Sequence, residues 1–199
     1  MLKMDCIRSK AEEYKSVIKQ RLSEHRYIHS LNVADAAEML AKKYGANVDK
    51  AYIAGILHDI TKQETVEKQI EIIENGGGKL LPLEKFTPLV YHQISGMYYC
   101  KNVLGVDDEE VLGAIRWHTT GKSDMTLLEK VIFTADFISA DRNYSDVDVM
   151  RGLANESLEK AMLYSLKYTI CDLAQKGNVI HPDTLNCYNY ILQNNTEKE

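Results

Sequence analysis

Apolar residues recur at intervals of three and four along nearly the whole chain, and strand-like alternation of β-branched residues is scarce, so most stretches can be scored only for helix. With three prolines in 199 residues (Pro82, Pro88 and Pro182), little interrupts that period. Ile7, Ala11, Tyr14, Ile18 and Leu22 mark a first helix. A second is expected over Glu24 to Tyr44, stopped by Gly45. A third runs from near Asn47 or Asp49 to His58-Asp59, with the small Ala51, Ala54 and Gly55 allowing close packing. A fourth, Thr65 to Glu74, meets a hard stop in Gly76-Gly77-Gly78, and the segment from there to Phe86 reads as a loop. Thr87-Pro88 has the form of an N-cap followed by proline at the first helical position, and predicts a helix that bears His92 and ends at Gly105. Asp107 with Glu110, and Thr126 with Glu129, read as capping pairs for two more helices, one ending near His118 and the other bearing Asp136. The last two are expected over about Asn155 to Lys176 and Asp183 to Gln193, before a polar tail from Asn194 to Glu199. No repeat or linker divides the chain, so the expectation is an all-α fold in one domain over 1–199, its core at about 20–190.

A net charge of −5, from 24 Lys and Arg against 29 Asp and Glu, comes without a basic cluster and argues against a nucleic-acid polymer as partner. The longest apolar run, Ala51 to Leu57, is far short of the roughly 20 residues that cross a bilayer, and MLKMDCIRSKAEEYK at the N-terminus lacks an apolar signal core. Cys6, Cys100, Cys171 and Cys187 show no paired spacing. These features predict a cytoplasmic protein with reduced thiols and no membrane partner. Twelve tyrosines are spread too evenly to form a platform for a nucleic acid.

Four of the six histidines, His29, His58, His92 and His118, lie on or at the end of predicted helices among residues that should face the core. His29 shares one helical face with Val33, Ala36, Ala37, Leu40 and Tyr44. One such imidazole is ordinarily a satisfied core residue. Four of them bring ring nitrogens that all need partners, and a metal ion satisfies these at once. His58-Asp59 sets two ligand types side by side where a helix ends, so both can face one ion if the backbone turns there. Asp136 interrupts the apolar run from Val131 to Ile138, where an unpaired carboxylate is costly; its partner is expected to be either a cation or Arg142, six residues on. His29, His58, Asp59 and Asp136 together offer nitrogen and oxygen donors for a borderline divalent ion with open positions for water. Iron, manganese, cobalt and zinc all suit that shell, iron being the first expectation. His92 and His118 either bind a second ion bridged by Asp59 or stand on the substrate side.

The order His, His-Asp, His, His, Asp on an all-α chain resembles the HD-domain metal-dependent phosphohydrolases. The stretches HRYIHSLNVADAAEMLAKKYG, AYIAGILHDITK, WHTTGKSDMTLLEKVIFTADFISADR and VIHPDTLNCYN are similar to the YqeK group, hydrolases that split diadenosine tetraphosphate symmetrically into two ADP. This resemblance, over about residues 20 to 190, implies a metal held by His29, His58, Asp59 and Asp136, and nucleotide contacts from Lys62, His92, His118, Thr119, Arg142 and the segment from His181 to Thr184. It also implies catalysis by water activated at the ion beside Asp59, with His92 or His118 protonating the leaving oxygen, and no polymer or membrane partner; a homodimer is compatible with it. Two other readings keep the ligand shell: a phosphatase or phosphodiesterase for another nucleotide, and a nucleotide sensor without turnover. His25 and Arg26 read as rim residues, and Trp117 as a core residue sooner than a platform for a base.

Overall fold

Side chains at six helix starts, Ser23, Asn47, Thr65, Asp108, Thr126 and Ser157, accept hydrogen bonds from first-turn amides that have no carbonyl partner inside the helix. In the computed structural model, which describes residues 9–195, the chain forms α1 (Ala11–Arg21), α2 (Glu24–Tyr44), α3 (Val48–Leu57), α4 (Val66–Asn75), α5 (Tyr91–Asn102), α6 (Glu109–Trp117), α7 (Leu127–Ile138), α8 (Val147–Glu156), α9 (Leu158–Gln175) and α10 (Pro182–Asn195). No strand occurs among the described residues, and the fold is all-α. Thr126 and Glu129 form the reciprocal capping box expected of them, and Gly45 ends α2 at φ +79°, a conformation that side chains with a Cβ rarely adopt. No helix among the described residues is long and apolar enough to cross a membrane. Ile7, Cys6 and the end of the polar tail lie outside the described residues.

Four local expectations change. Helix α5 begins at Tyr91, because Thr87 donates its hydroxyl to the Glu84 carbonyl at 3.2 Å within a pair of 3-10 turns, Glu84–Phe86 and Pro88–Val90, that replace part of the expected loop. The same helix ends at Asn102, before Gly105, where the Val106 amide turns back to the Cys100 carbonyl at 2.9 Å. The cap of α6 is Asp108 and not Asp107: its Oδ1 accepts from the amides of Glu110 and Val111 at 3.1 Å each. The long helix expected from Asn155 divides at Ser157, whose extended backbone and capping hydroxyl start α9 afresh, and α8 before it was not anticipated. Only Val147, Met150 and Ala154 of α8 are buried, too brief a stripe to register as a period.

Helix α3 is buried from Ala51 to Leu57 and packs against α1, α2, α6 and α7, which makes it the axis of the main core. A second cluster of Met125, Phe133, Met162, Leu166, Cys187 and Ile191 joins α7, α9 and α10, and Trp117 packs on it with the Arg116 guanidinium 3.9 Å above its ring. Gly55 sets the closeness of α3 to α2. A Cβ there would stand 2.6 Å from Ala34 Cα and 2.9 Å from Ala34 N, which are backbone atoms that cannot swing away. Gly55→Ala is therefore expected to destabilise the fold by roughly 2–3 kcal/mol, as overpacked cores do, and to lower Tm by roughly 4–10 °C for a chain of this size. Thermal unfolding followed by circular dichroism checks this; an unchanged Tm would mean that α2 and α3 can separate without cost.

Candidate metal centre

The axis helix delivers its C-terminus to a pocket of polar groups. His58 follows the last residue of α3, and its Nδ1 lies 2.8 Å from the Gly55 carbonyl, one of the last-turn oxygens left without an amide partner. His118 repeats the arrangement after α6, with Nδ1 2.8 Å from the Ile115 carbonyl. On α2, His29 Nδ1 is 2.8 Å from Asp141 Oδ2, whose other oxygen accepts from Asn32 Nδ2 at 3.2 Å. A carbonyl or carboxylate can only accept, so each of these imidazoles carries its proton on Nδ1 and turns a bare Nε2 toward the others. The rings form a chain of edge contacts, with centroids 5.3 Å apart for His29 and His58, 5.0 Å for His58 and His118, and 5.1 Å for His118 and His92. None of the four is more than 2% exposed.

Asp59 sits between the two ends of this chain, since the backbone turns immediately after His58. Its Oδ1 lies 3.4 Å from His92 Nε2, 3.6 Å from His118 Nε2 and 4.0 Å from Lys62 Nζ, while its Oδ2 lies 3.6 Å from His58 Nε2 and 3.1 Å from Arg26 Nη1. Asp136, on the last turns of α7, brings Oδ1 to 3.0 Å from His29 Nε2. Proximity here is not hydrogen bonding: the buried Nε2 atoms of His29 and His58 have no hydrogen-bond partner. Two donors bound to one ion at about 2.1 Å stand roughly 3.0–3.4 Å apart for angles between 90° and tetrahedral, close to the spacings seen. Three overlapping triads, His29-His58-Asp59, His58-His118-Asp136 and Asp59-His92-His118, each have ligand atoms within 4.8 Å of one another. The donor set thus fits a divalent ion, which would satisfy the orphaned nitrogens.

Protonation agrees. Burial pushes His58 down to about 4, and burial with the nearby Lys62 ammonium holds His92 well below the usual imidazole range. For Asp59 burial opposes ionisation, but His58, His118, His92 and Lys62 outweigh it and keep the carboxyl well below the ordinary range. Asp136 is likewise held low against its burial by His29 and Arg142. Neutral imidazoles and ionised carboxylates are the forms that bind metal.

Around this cluster the remaining expected residues fall into two groups. Lys62 Nζ is 3.0 Å and Thr119 Oγ1 also 3.0 Å from His92 Nε2, which itself lies 3.1 Å from His118 Nε2. Arg142 pairs with Asp136 through Nη2 and donates Nε to its backbone carbonyl at 2.8 Å, so Asp136 has the Arg142 partner and faces His29 as well. His181 and Thr184 do not join this network: His181 Nε2 is 3.4 Å from the buried Glu84, which also faces Arg116, and the Thr184 amide donates to the His181 carbonyl. Sequence reasoning missed the acceptors behind the ring nitrogens, namely Asp141, Gly55 O and Ile115 O, and missed Gln93, whose Oε1 accepts from the Thr119 and Thr120 amides at 3.0 and 3.2 Å. Arg26, read as a rim residue, reaches Asp59, and His25 is exposed.

The HD domain family matches residues 26–141, which takes in every member of the cluster from His29 to Asp136. The chain belongs to the HD-domain family. Among similar proteins, a symmetrical bis(5'-nucleosyl)-tetraphosphatase of Bacillus subtilis is 40% identical over 91% of this chain and 97% of the relative. One of the same description from Staphylococcus aureus is 37% identical over 90% of this chain and 93% of its own length. The crystal structure of a predicted HD superfamily hydrolase involved in NAD metabolism, from Clostridium acetobutylicum, superposes with a TM-score of 0.90 at 40% identity, covering 92% of this chain and 97% of that one.

Proposed function

We propose that this chain is a metal-dependent hydrolase that splits diadenosine tetraphosphate symmetrically into two ADP. The observation that carries the reading is the buried cluster of four imidazoles and two carboxylates, with unpartnered Nε2 atoms, in a chain that aligns nearly end to end with relatives of that activity. His29, His58, Asp59 and Asp136 would hold one ion; Asp59, His92 and His118 offer donors for a second ion or for phosphate oxygens. Iron is the ion assigned first, and the same mixed imidazole and carboxylate shell also suits manganese, cobalt and zinc. When bound, the ion supplies Lewis acidity, which makes water a nucleophile at neutral pH and offsets charge developing on a phosphoryl oxygen.

The protein's own part is positioning and proton handling. Lys62 lies beside His92 and Arg142 beside Asp136, so a polyphosphate lying across the cluster would meet both cations. Burial lowers the Lys62 ammonium from its usual range, which favours a phosphate that arrives to share its charge. His118, fixed by the Ile115 carbonyl, and His92 turn Nε2 to the side where a leaving oxygen would stand; an incoming phosphate's negative charge favours their protonated forms, which is what would let either one pass a proton to that oxygen, and Thr119 offers a hydroxyl to the same side. His181 and Thr184, where α10 begins, are assigned to the nucleotide; His181 Nε2 lies 3.4 Å from the buried Glu84, which holds that segment in place.

Metal analysis of the purified protein together with product identification from diadenosine tetraphosphate tests the reading. Bound transition metal and ADP as sole product support it, and metal without multiple turnover would leave a sensor in its place. Asp141→Asn keeps the shape behind His29 but removes the charge that orients its ring. Metal affinity is expected to fall by about 10–100-fold, as when other acceptors behind metal-binding histidines are lost. A metal titration checks this; an unchanged affinity would show that Asp141 does not set the His29 ring.

A further inference from the structure

Gln93 follows His92 on α5, and its side chain is wholly buried. A buried carboxamide is costly unless both of its ends are matched, and here both are used. Its Oε1 accepts from the Thr119 amide at 3.0 Å and from the Thr120 amide at 3.2 Å, while its Nε2 donates to Thr120 Oγ1 at 3.0 Å. Thr120 Oγ1 in turn donates to the Gly121 carbonyl at 2.9 Å, which leaves the hydroxyl oxygen free to accept from Gln93. One side chain of α5 thus grips both residues that follow His118.

His118 creates the need for that grip. In a continuing helix the Thr119 amide would bond to the carbonyl four residues back, that of Ile115. That carbonyl lies 2.8 Å from His118 Nδ1, the contact that fixes the ring, and α6 stops at Trp117. The Thr119 amide therefore turns to Gln93. Thr119 then stands with Oγ1 3.0 Å from His92 Nε2. Since Gln93 is the next residue after His92, the distance between that hydroxyl and the imidazole is set by one short link from α5 to the turn.

We infer that Gln93 is a positioning residue for the reaction, holding the Thr119 hydroxyl against His92 by gripping the turn on which Thr119 stands; this rests on the functional reading above. Gln93 is no ligand itself, because two amides already occupy its Oε1.

Gln93→Met keeps the length of the side chain and fills the same space without an acceptor. In the metal-loaded protein acting on diadenosine tetraphosphate it is expected to lower kcat about tenfold, the worth of one or two hydrogen bonds, with KM and the metal-to-protein ratio unchanged. Gln93→Glu keeps an acceptor for both amides and should recover most of that loss. Two further readings separate positioning from a merely structural role. Thr119→Val removes the hydroxyl and keeps the shape; in that background Gln93→Met should cost less than about twofold more, because the group it positions has gone. The nitrogen-15 resonance of His92 Nε2, read without turnover in protein loaded with diamagnetic zinc, should move in the same direction in Gln93→Met and Thr119→Val. Independent losses in the double variant would overturn the proposal. So would an unmoved His92 resonance in Gln93→Met, or metal lost together with kcat. Thr120→Val removes only the acceptor of Gln93 Nε2 and leaves both amides paired; if Gln93→Met does not fold, the same kcat and resonance changes, smaller in size, are expected there, and their absence overturns the proposal equally. Failure of the functional reading is seen separately, in unaltered protein that forms no ADP from diadenosine tetraphosphate, and the His92 resonance then still decides whether Gln93 positions Thr119.

Discussion

Asp59→Ala is expected to remove bound metal and hydrolysis together, with kcat/KM falling by about a thousandfold or more, the few kcal/mol that Lewis acidity contributes to such a reaction. Asp59 stands apart from the other ligands because both of its oxygens are engaged: one faces His92, His118 and Lys62, the other His58 and Arg26. Its loss leaves imidazole nitrogens, an ammonium and a guanidinium facing one another with no carboxylate between them, which repels a cation instead of attracting it. His58→Ala should do the same from the other ligand type, since it removes a buried Nε2 that the Gly55 carbonyl aims into the cluster and that no hydrogen bond occupies. The fold should survive both changes. The helices are held by the apolar faces that surround α3 and not by the cluster, so far-ultraviolet circular dichroism is expected to stay near that of the unaltered chain. Metal-to-protein stoichiometry by mass spectrometry, measured beside ADP release, decides the matter. Full occupancy in both variants would refute the ligand assignment.

The cluster was legible in the sequence because each member sits where a polar residue is out of place. His29 lies on an apolar helix face, Asp136 lies inside an apolar run, and His58-Asp59 stands at the end of a helix buried along most of its length. What holds these residues was not legible. Asp141 reaches His29 from 112 positions away, and the Gly55 and Ile115 carbonyls are backbone atoms that no residue type announces. The same divide separates the helices that were read from the one that was not. Long periodic faces and the Thr126 capping box mark α2 and α7, whereas α8 buries three small patches and owes its position to packing against α7 and α9. That packing also creates a cavity beside Asp136, which left no trace in the order of the residues.

Longer homologues of the substrate test how its chain is measured. If one ADP unit is fixed by its nucleoside and by Arg142, the number of phosphates between the anchored end and the ion is constant, and the attacked phosphorus is counted from that end. Diadenosine tetraphosphate should then yield ADP alone, and diadenosine pentaphosphate ADP and ATP in equal amounts. The hexaphosphate separates this from a site that locates the middle of the chain: counted from an anchored ADP it yields ADP and adenosine tetraphosphate, whereas a middle-finding site yields ATP alone. Arg142→Ala should raise KM by about tenfold or more, the worth of a charge-assisted contact to phosphate, and should blur the product ratio, because the guanidinium fork sets register as well as attraction. Arg142 also pairs with Asp136, so metal content has to be measured in the same variant to separate loss of the anchor from loss of the ion. Lys62→Ala is expected to raise KM while leaving the ratio intact, since a point charge on a flexible stem attracts phosphate without fixing its register. AMP with ATP as the main products from the tetraphosphate would mean that the chain is counted from another point, and the anchored-ADP arrangement would fall even with the metal site correct.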